Sequence, residues 1–185
     1  MPHYLAFLRG LNLGKRRPEM ATLRTLFAGL GYTGVATFIA SGNVIFTSKI
    51  RDSRKLEQQI EARLEKSLGY AVDTFIRTRT EVAAIAAFRP FPRAEMENSG
   101  HTIHAVFLHE ALSTAQRQDL RAGRTEVDEF CAEGREFYWL CRIKSHESKV
   151  WASPALRALQ LPTSSMRNLT TVRKLAALYP PKPID

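Results

Sequence analysis

The sequence predicts an α+β fold: a tandem duplication of two β-α-β-β-α-β units, each followed by an extra helix. Three observations predict it. Short β-rich runs and amphipathic stretches alternate in the same order twice along the 185 residues. A Pro-containing stretch, residues 89–100, separates the two series. The segment 77–87 aligns without gaps on 167–177, with Arg, Thr, Val and an Ala pair coinciding at an offset of 90.

Taken in order, residues 3–8 are apolar and bounded by Gly10, which reads as a buried strand. Residues 18–30 carry Met20, Leu23, Phe27 and Leu30 at helical spacing, with Pro18 at the first position and Gly31 as the stop. Two β-rich runs, 35–40 and 44–47, flank Ser41-Gly42-Asn43, where Gly-Asn supplies the positive φ of a tight hairpin. Asp52 or Ser53 caps a helix with Leu56, Ile60, Leu64 and Leu68 on one face, ending at Gly69. Residues 71–78 alternate as a strand. Thr80 caps a short helix to Phe88, which Pro90 stops.

The second series opens with a strand at 102–108. Ser113 and Gln116 form a capping box for a helix to about Ala122. Strands 125–131 and 136–141 flank Gly134 as a hairpin, and a helix covers 149–159. A short strand at 163–166 and a helix at 168–179 complete it. Each β-α-β-β-α-β series is a ferredoxin-like arrangement. The expected subdomains are residues 1–92 and 100–180. Right-handed crossovers bring the 9–17 connection and the 41–43 turn to the same end of the first sheet.

The net charge is +9 and the pI about 9.9. This favours a polyanionic partner such as an anionic small molecule or nucleic acid. The excess is spread along the chain, +6 in residues 1–100 and +3 in 101–185. Glu126, Asp128, Glu129, Glu133 and Glu136 form an acidic stretch that would repel a phosphate backbone, which argues against a uniformly basic nucleic-acid face. No 18-residue apolar run is present, and the first ten residues lack a basic leader region. The expectation is a cytoplasmic protein without membrane segments. Cys131 and Cys141 form no CxxC pair, and the five histidines have no companion spacing. Reduced thiols, no metal and no cofactor are expected.

The stretch FLRGLNLGKRRPEM, residues 7–20, leaves a strand and enters a helix N-terminus, where free N–H groups and the helix dipole favour anions. Gly10 and Gly14 let the backbone approach a ligand closely. Arg9 can grip phosphate or carboxylate with two parallel bonds, and Lys15 adds a point charge. Asn12, Ser41 and Asn43 offer neutral hydrogen bonds. Met166-Arg167-Asn168 precedes a helix and is a second anion candidate. Each feature also has a plainer reading. Gly42-Asn43 is turn chemistry, Asn12 caps its own loop, Arg16 and Arg17 are solvated, and Asn168 is a helix cap. Neither Walker A nor dinucleotide-fingerprint spacing is present.

Two further function classes stay open. The same cleft could host an enzyme whose charged donors stabilise developing negative charge. A nucleic-acid module could use the basic surface, with Phe137, Tyr138 and Trp139 stacking bases; the same aromatics equally fill a core. No nucleophile signature is visible, and the sequence sets no oligomeric state.

Leu8-Arg9-Gly10-Leu11-Asn12-Leu13-Gly14-Lys15, Met20, Leu23 and Ser41-Gly42-Asn43-Val44-Ile45-Phe46 resemble the bacterial family known as domain of unknown function 1697. Arg77-Thr78, Ser148-Lys149, Met166-Arg167-Asn168 and Thr171-Val172 are similar to its later motifs. The chain departs from the family pattern at Leu11, usually Ile or Val, at Arg16, often a small residue, and at Leu169, commonly Trp. The resemblance implies duplicated ferredoxin-like halves and carries no assigned activity.

Overall fold

The computed structural model describes residues 1–12, 18–40 and 42–182. Its first series runs β1 (His3–Arg9), α1 (Met20–Ala28), β2 (Thr33–Phe38), β3 (Asn43–Thr47), α2 (Ser53–Leu68), β4 (Asp73–Thr78) and α3 (Arg79–Ala87). A five-residue helix, α4 (Arg93–Glu97), follows. The second series runs β5 (Thr102–Leu108), α5 (Thr114–Ala122), β6 (Asp128–Glu133) and β7 (Glu136–Cys141), a 3-10 turn (Val150–Ala152), α6 (Pro154–Ala158), β8 (Ser164–Asn168) and α7 (Leu169–Leu178).

The two sheets have the same topology. The first is ordered β2-β3-β1-β4 and the second β6-β7-β5-β8, with every neighbouring pair antiparallel. This is the ferredoxin-like order, so the chain is an α+β protein of two similar halves. Two compact units emerge, Met1–Ala84 with the stretch from Leu175, and Ile85–Lys174.

In the first unit, α1 and α2 cover one face of the sheet. Leu23, Phe27, Leu56, Ile60 and Leu64 are buried against Tyr4, Ala6, Leu8, Val44, Phe46 and Ile76. The alternation in β1 and β3 puts these strand residues on one side, as a period of two requires. Phe46 anchors the cluster, stacked on Tyr32 at 4.7 Å and edge-on to Phe27 at 5.4 Å. Residues of opposite parity, Leu5, Phe7, Ile45 and Phe75, are buried too. Each fully buried side chain of this size contributes roughly 1.5–3 kcal/mol.

Strand β4 forms one edge of this sheet, and its outward N–H groups are answered by carboxylates. Thr74 N–H donates to Glu61 at 2.9 Å, Ile76 N–H to Glu57 at 3.0 Å and Thr78 N–H to Glu81 at 2.7 Å. Glu57 and Glu61 stand one turn apart on α2, so both reach the same strand. An edge dressed in this way is a poor template for another chain.

In the second unit, Val106, Leu108, Phe130, Phe137, Trp139, Val150 and Leu156 form the core. Trp139 stacks on His104 at 4.8 Å, meets Trp151 edge-on at 5.2 Å and donates its indole N–H to Asp128 at 2.8 Å. Burial lowers the His104 pKa to about 4. The aromatics Phe137, Tyr138 and Trp139 are all buried, which removes them from any stacking surface. Cys131 and Cys141 are free thiols lying opposite Tyr138 and Asp128 on paired strands.

Several local expectations are corrected. The helix expected over 149–159 is broken: Ser153 caps α6 and Pro154 sits at its first turn, leaving only a 3-10 turn before it. Proline has no N–H to continue the earlier turn and closes one helix while opening the next. Helix α3 is capped by Thr78 rather than Thr80. Thr78 Oγ1 accepts Glu81 N–H at 3.1 Å while Glu81 returns to Thr78 N–H, a capping box. The stretch 89–100 holds α4 instead of being wholly linker. No helix among the described residues is long and apolar enough to cross a membrane.

Candidate functional site

Residues 8–12 and the described part of the hairpin turn, Ala40 and Gly42, meet at one end of the first sheet. Leu8 N–H donates to the Gly42 carbonyl at 2.8 Å, extending the β1–β3 ladder into the turn. Asn12 Nδ2 donates to the Ala40 carbonyl at 2.8 Å, a bond between residues 28 apart. Leu11 is buried in the core cluster, and its carbonyl accepts the Tyr70 hydroxyl at 3.1 Å. Gly10 has φ 79° and Gly42 φ 74°, so both ends of this contact use backbone that side chains resist. A Cβ on Gly42 would stand 3.1 Å from Leu8 Cβ and 3.2 Å from a Leu11 methyl.

Arg9 closes β1 directly opposite Asp73 at the start of β4. Its Nη1 meets Asp73 Oδ2 at 2.9 Å, and the two side chains are 53% and 40% exposed. The guanidinium therefore already has one carboxylate, while most of its fork faces solvent. Asn43 is buried and donates Nδ2 to the Phe38 carbonyl at 3.1 Å, bracing the hairpin from within. Asn12 and Asn43 thus hold the turn with the very groups expected to meet a ligand. Gly14, Lys15 and Ser41 lie outside the described residues.

Arg24, absent from the sequence-based candidates, stands on α1 and donates to the Thr37 hydroxyl at 3.0 Å. Its helical position is exposed, and exposed arginines on helices are common, so no pattern singled it out. Among the described residues, the α1 N-terminus opens at Glu19 with no side-chain cap and no acid in its first turn. A helix start of this kind carries partial positive charge on its leading N–H groups.

Arg167 and Asn168 belong to the second unit and are described on their own. Arg167 Nη1 donates to Ser165 Oγ at 2.9 Å and to the Met166 carbonyl at 2.8 Å. Burial lowers its pKa to about 10. Asn168 Oδ1 accepts Thr170 N–H at 2.8 Å, which ties it to the start of α7. Arg77 repeats the arrangement in the first unit: fully buried, it donates to the Ile76 carbonyl at 2.8 Å. Arg77 lies opposite Leu5 and Arg167 opposite Ala105, equivalent positions on β1 and β5. The arginine of the repeated segment is therefore a built-in part of each sheet.

Comparison with known proteins agrees with this architecture. No curated protein matches the chain. Among solved structures, the chain is similar to the conserved bacterial protein SP0830 from Streptococcus pneumoniae, with a TM-score of 0.72 and 20% identity over 97% of this chain and 98% of that one. At that identity the likeness concerns the fold. Residues 1–138, which hold the strand-to-helix connection and the first hairpin, match the family described as protein of unknown function (DUF1697). With three quarters of its length inside that match, the chain belongs to the DUF1697 family.

Proposed function

We propose that the protein binds a small molecule bearing phosphate or carboxylate at the end of the first sheet where residues 8–12 meet the β2–β3 hairpin. The observation that carries this reading is the pair of bonds joining the two segments, Leu8 to Gly42 and Asn12 to Ala40. The reading also draws on Arg9, half-exposed beside Asp73, and on the α1 start, which has no side-chain cap among the described residues. Arg9 and Lys15 supply charge in this reading, and Gly14 and Ser41 complete the lining. Asn12 and Asn43 act by shaping the turn. Asp73 is an internal competitor, since its carboxylate occupies the edge of Arg9 that an incoming anion would share. A ligand able to take the remaining donors of the guanidinium gains charge-assisted bonds without breaking that pair.

A thermal-shift series with inorganic phosphate, pyrophosphate and citrate tests the reading. The melting temperature of the wild type rises with one of these anions, and Arg9→Gln abolishes the rise. The variant's own stability changes little, because an exposed ion pair contributes about 0–1 kcal/mol. No rise with any of the three, or an equal rise in the variant, overturns the site.

A further inference from the structure

A second cationic region lies wholly within the second unit. Arg89, Phe91, Arg93, Met96, Glu97 and Arg173 line a cavity of about 490 Å³. That volume falls in the range of pockets that hold small molecules. Arg93 and Glu97 offset each other, with Nε and carboxylate 2.8 Å apart and both side chains well exposed. Arg89 and Arg173 have no carboxylate partner among the described residues. Arg173 is half-buried and donates its Nε to the Ala86 carbonyl at 3.3 Å, which fixes its stem. Burial, and then the charge on Arg89, pull its pKa below the usual arginine value. Two cations thus line one cavity, and an anion bound there would meet both. Half-buried Met96, backed by the edge of buried Phe91, supplies the apolar part of the lining.

We propose that this cavity is a binding site for a phosphate monoester of an aromatic or similarly apolar alcohol. Arg89 and Arg173 hold the phosphate, and Phe91 with Met96 receives the apolar part. One guanidinium satisfies a carboxylate with two parallel bonds, whereas two guanidinium groups suit the three free oxygens and double charge of a phosphate monoester. This site is separate from the one at the end of the first sheet and stands or falls without it.

Calorimetric titration of the full chain at low salt with phenyl phosphate, inorganic phosphate and benzoate tests it. Phenyl phosphate binds more tightly than either fragment. Arg89→Gln, a change at an exposed and unpaired side chain, weakens it about tenfold or more, as expected for loss of a charge-assisted pair of bonds. Arg173→Met does the same. The proposal is overturned if phenyl phosphate does not bind at millimolar concentration. It is equally overturned if both Arg89→Gln and Arg173→Met bind as the wild type does, if Arg9→Gln alone removes binding, or if inorganic phosphate binds as tightly as its phenyl ester.

Discussion

The carboxylate of Glu57 on α2 accepts the backbone N–H of Ile76 on β4 at 3.0 Å, with the Glu57 side chain only 1% exposed. A buried acid is thereby spent on the edge of a sheet rather than on chemistry. Arg54 lies 3.1 Å from its other oxygen and balances the charge from the solvent side.

Replacing this acid by an apolar residue should be costly. Glu57→Leu strands the Ile76 N–H in an apolar setting, a penalty of about 1–3 kcal/mol. For a chain of this size that lowers the melting temperature by roughly 2–4 °C per kcal/mol. Glu57→Gln keeps an acceptor and should lose less. Scanning calorimetry on both variants decides; equal stability of wild type and Glu57→Leu would show the bond to be dispensable.

Gly42 should not tolerate a side chain. Its φ of 74° and the 3.1 Å approach to Leu8 add left-handed strain to crowding against a sheet residue. Gly42→Ala is expected to cost roughly 1–2 kcal/mol. Urea unfolding measures the loss, and a midpoint unchanged from wild type contradicts the packing described.

His104 makes stability depend on mild acid. Burial favours the neutral imidazole, so the folded pKa, about 4, lies below the ordinary value of 6.5. Between those values the unfolded chain binds the extra proton, and stability falls as pH drops from about 6.5 towards 4. Allowing for its partial exposure, the loss by pH 4.5 is about 1–2 kcal/mol. Urea midpoints at pH 7 and 4.5 for wild type and His104→Gln isolate it, because the variant shares every other titrating group. Parallel pH trends in the two proteins would contradict the assignment.

Asp128 should be a structural keystone of the second core. It is buried and accepts from Trp139 Nε1 at 2.8 Å, Ser148 Oγ at 2.9 Å and Thr125 Oγ1 at 2.9 Å. Asp128→Ala leaves these donors without their partner and is expected to cost about 2–4 kcal/mol. Asp128→Asn retains one acceptor oxygen and should cost less. Denaturant unfolding followed by tryptophan fluorescence gives both values.

Local chemistry in the sequence was enough for most elements. Asp52 caps α2 through Arg54 and Lys55 N–H groups, and Ser113 and Gln116 form their box. The hairpin between β2 and β3 lies where expected, but Asn43 belongs to β3 opposite Phe38, and positive φ falls on Gly42 and Ile39. The failures have local causes as well. Pro154 breaks the continuous helix that the 149–159 pattern predicts, and Glu81, three residues after Thr78, moves the α3 cap from Thr80 to Thr78. The site was less legible because its decisive contacts are distant along the chain. Nothing near Arg9 announces Asp73, 64 residues away, and nothing near Asn12 announces Ala40. The Arg89–Arg173 cavity was hidden for the same reason: one residue sat in an assumed linker and the other in a terminal helix.

The two halves share a topology but not a rim. Sixteen residues of α2 run beside β4 and cover its outer amides, while the connection from β7 to β8 contains only a 3-10 turn and the five-residue α6. Among the described residues no acid reaches the amides of Ser164 or Met166. The halves should therefore breathe on different clocks. Deuterium would enter β8 well before β4, making the second half the place where this molecule first comes apart.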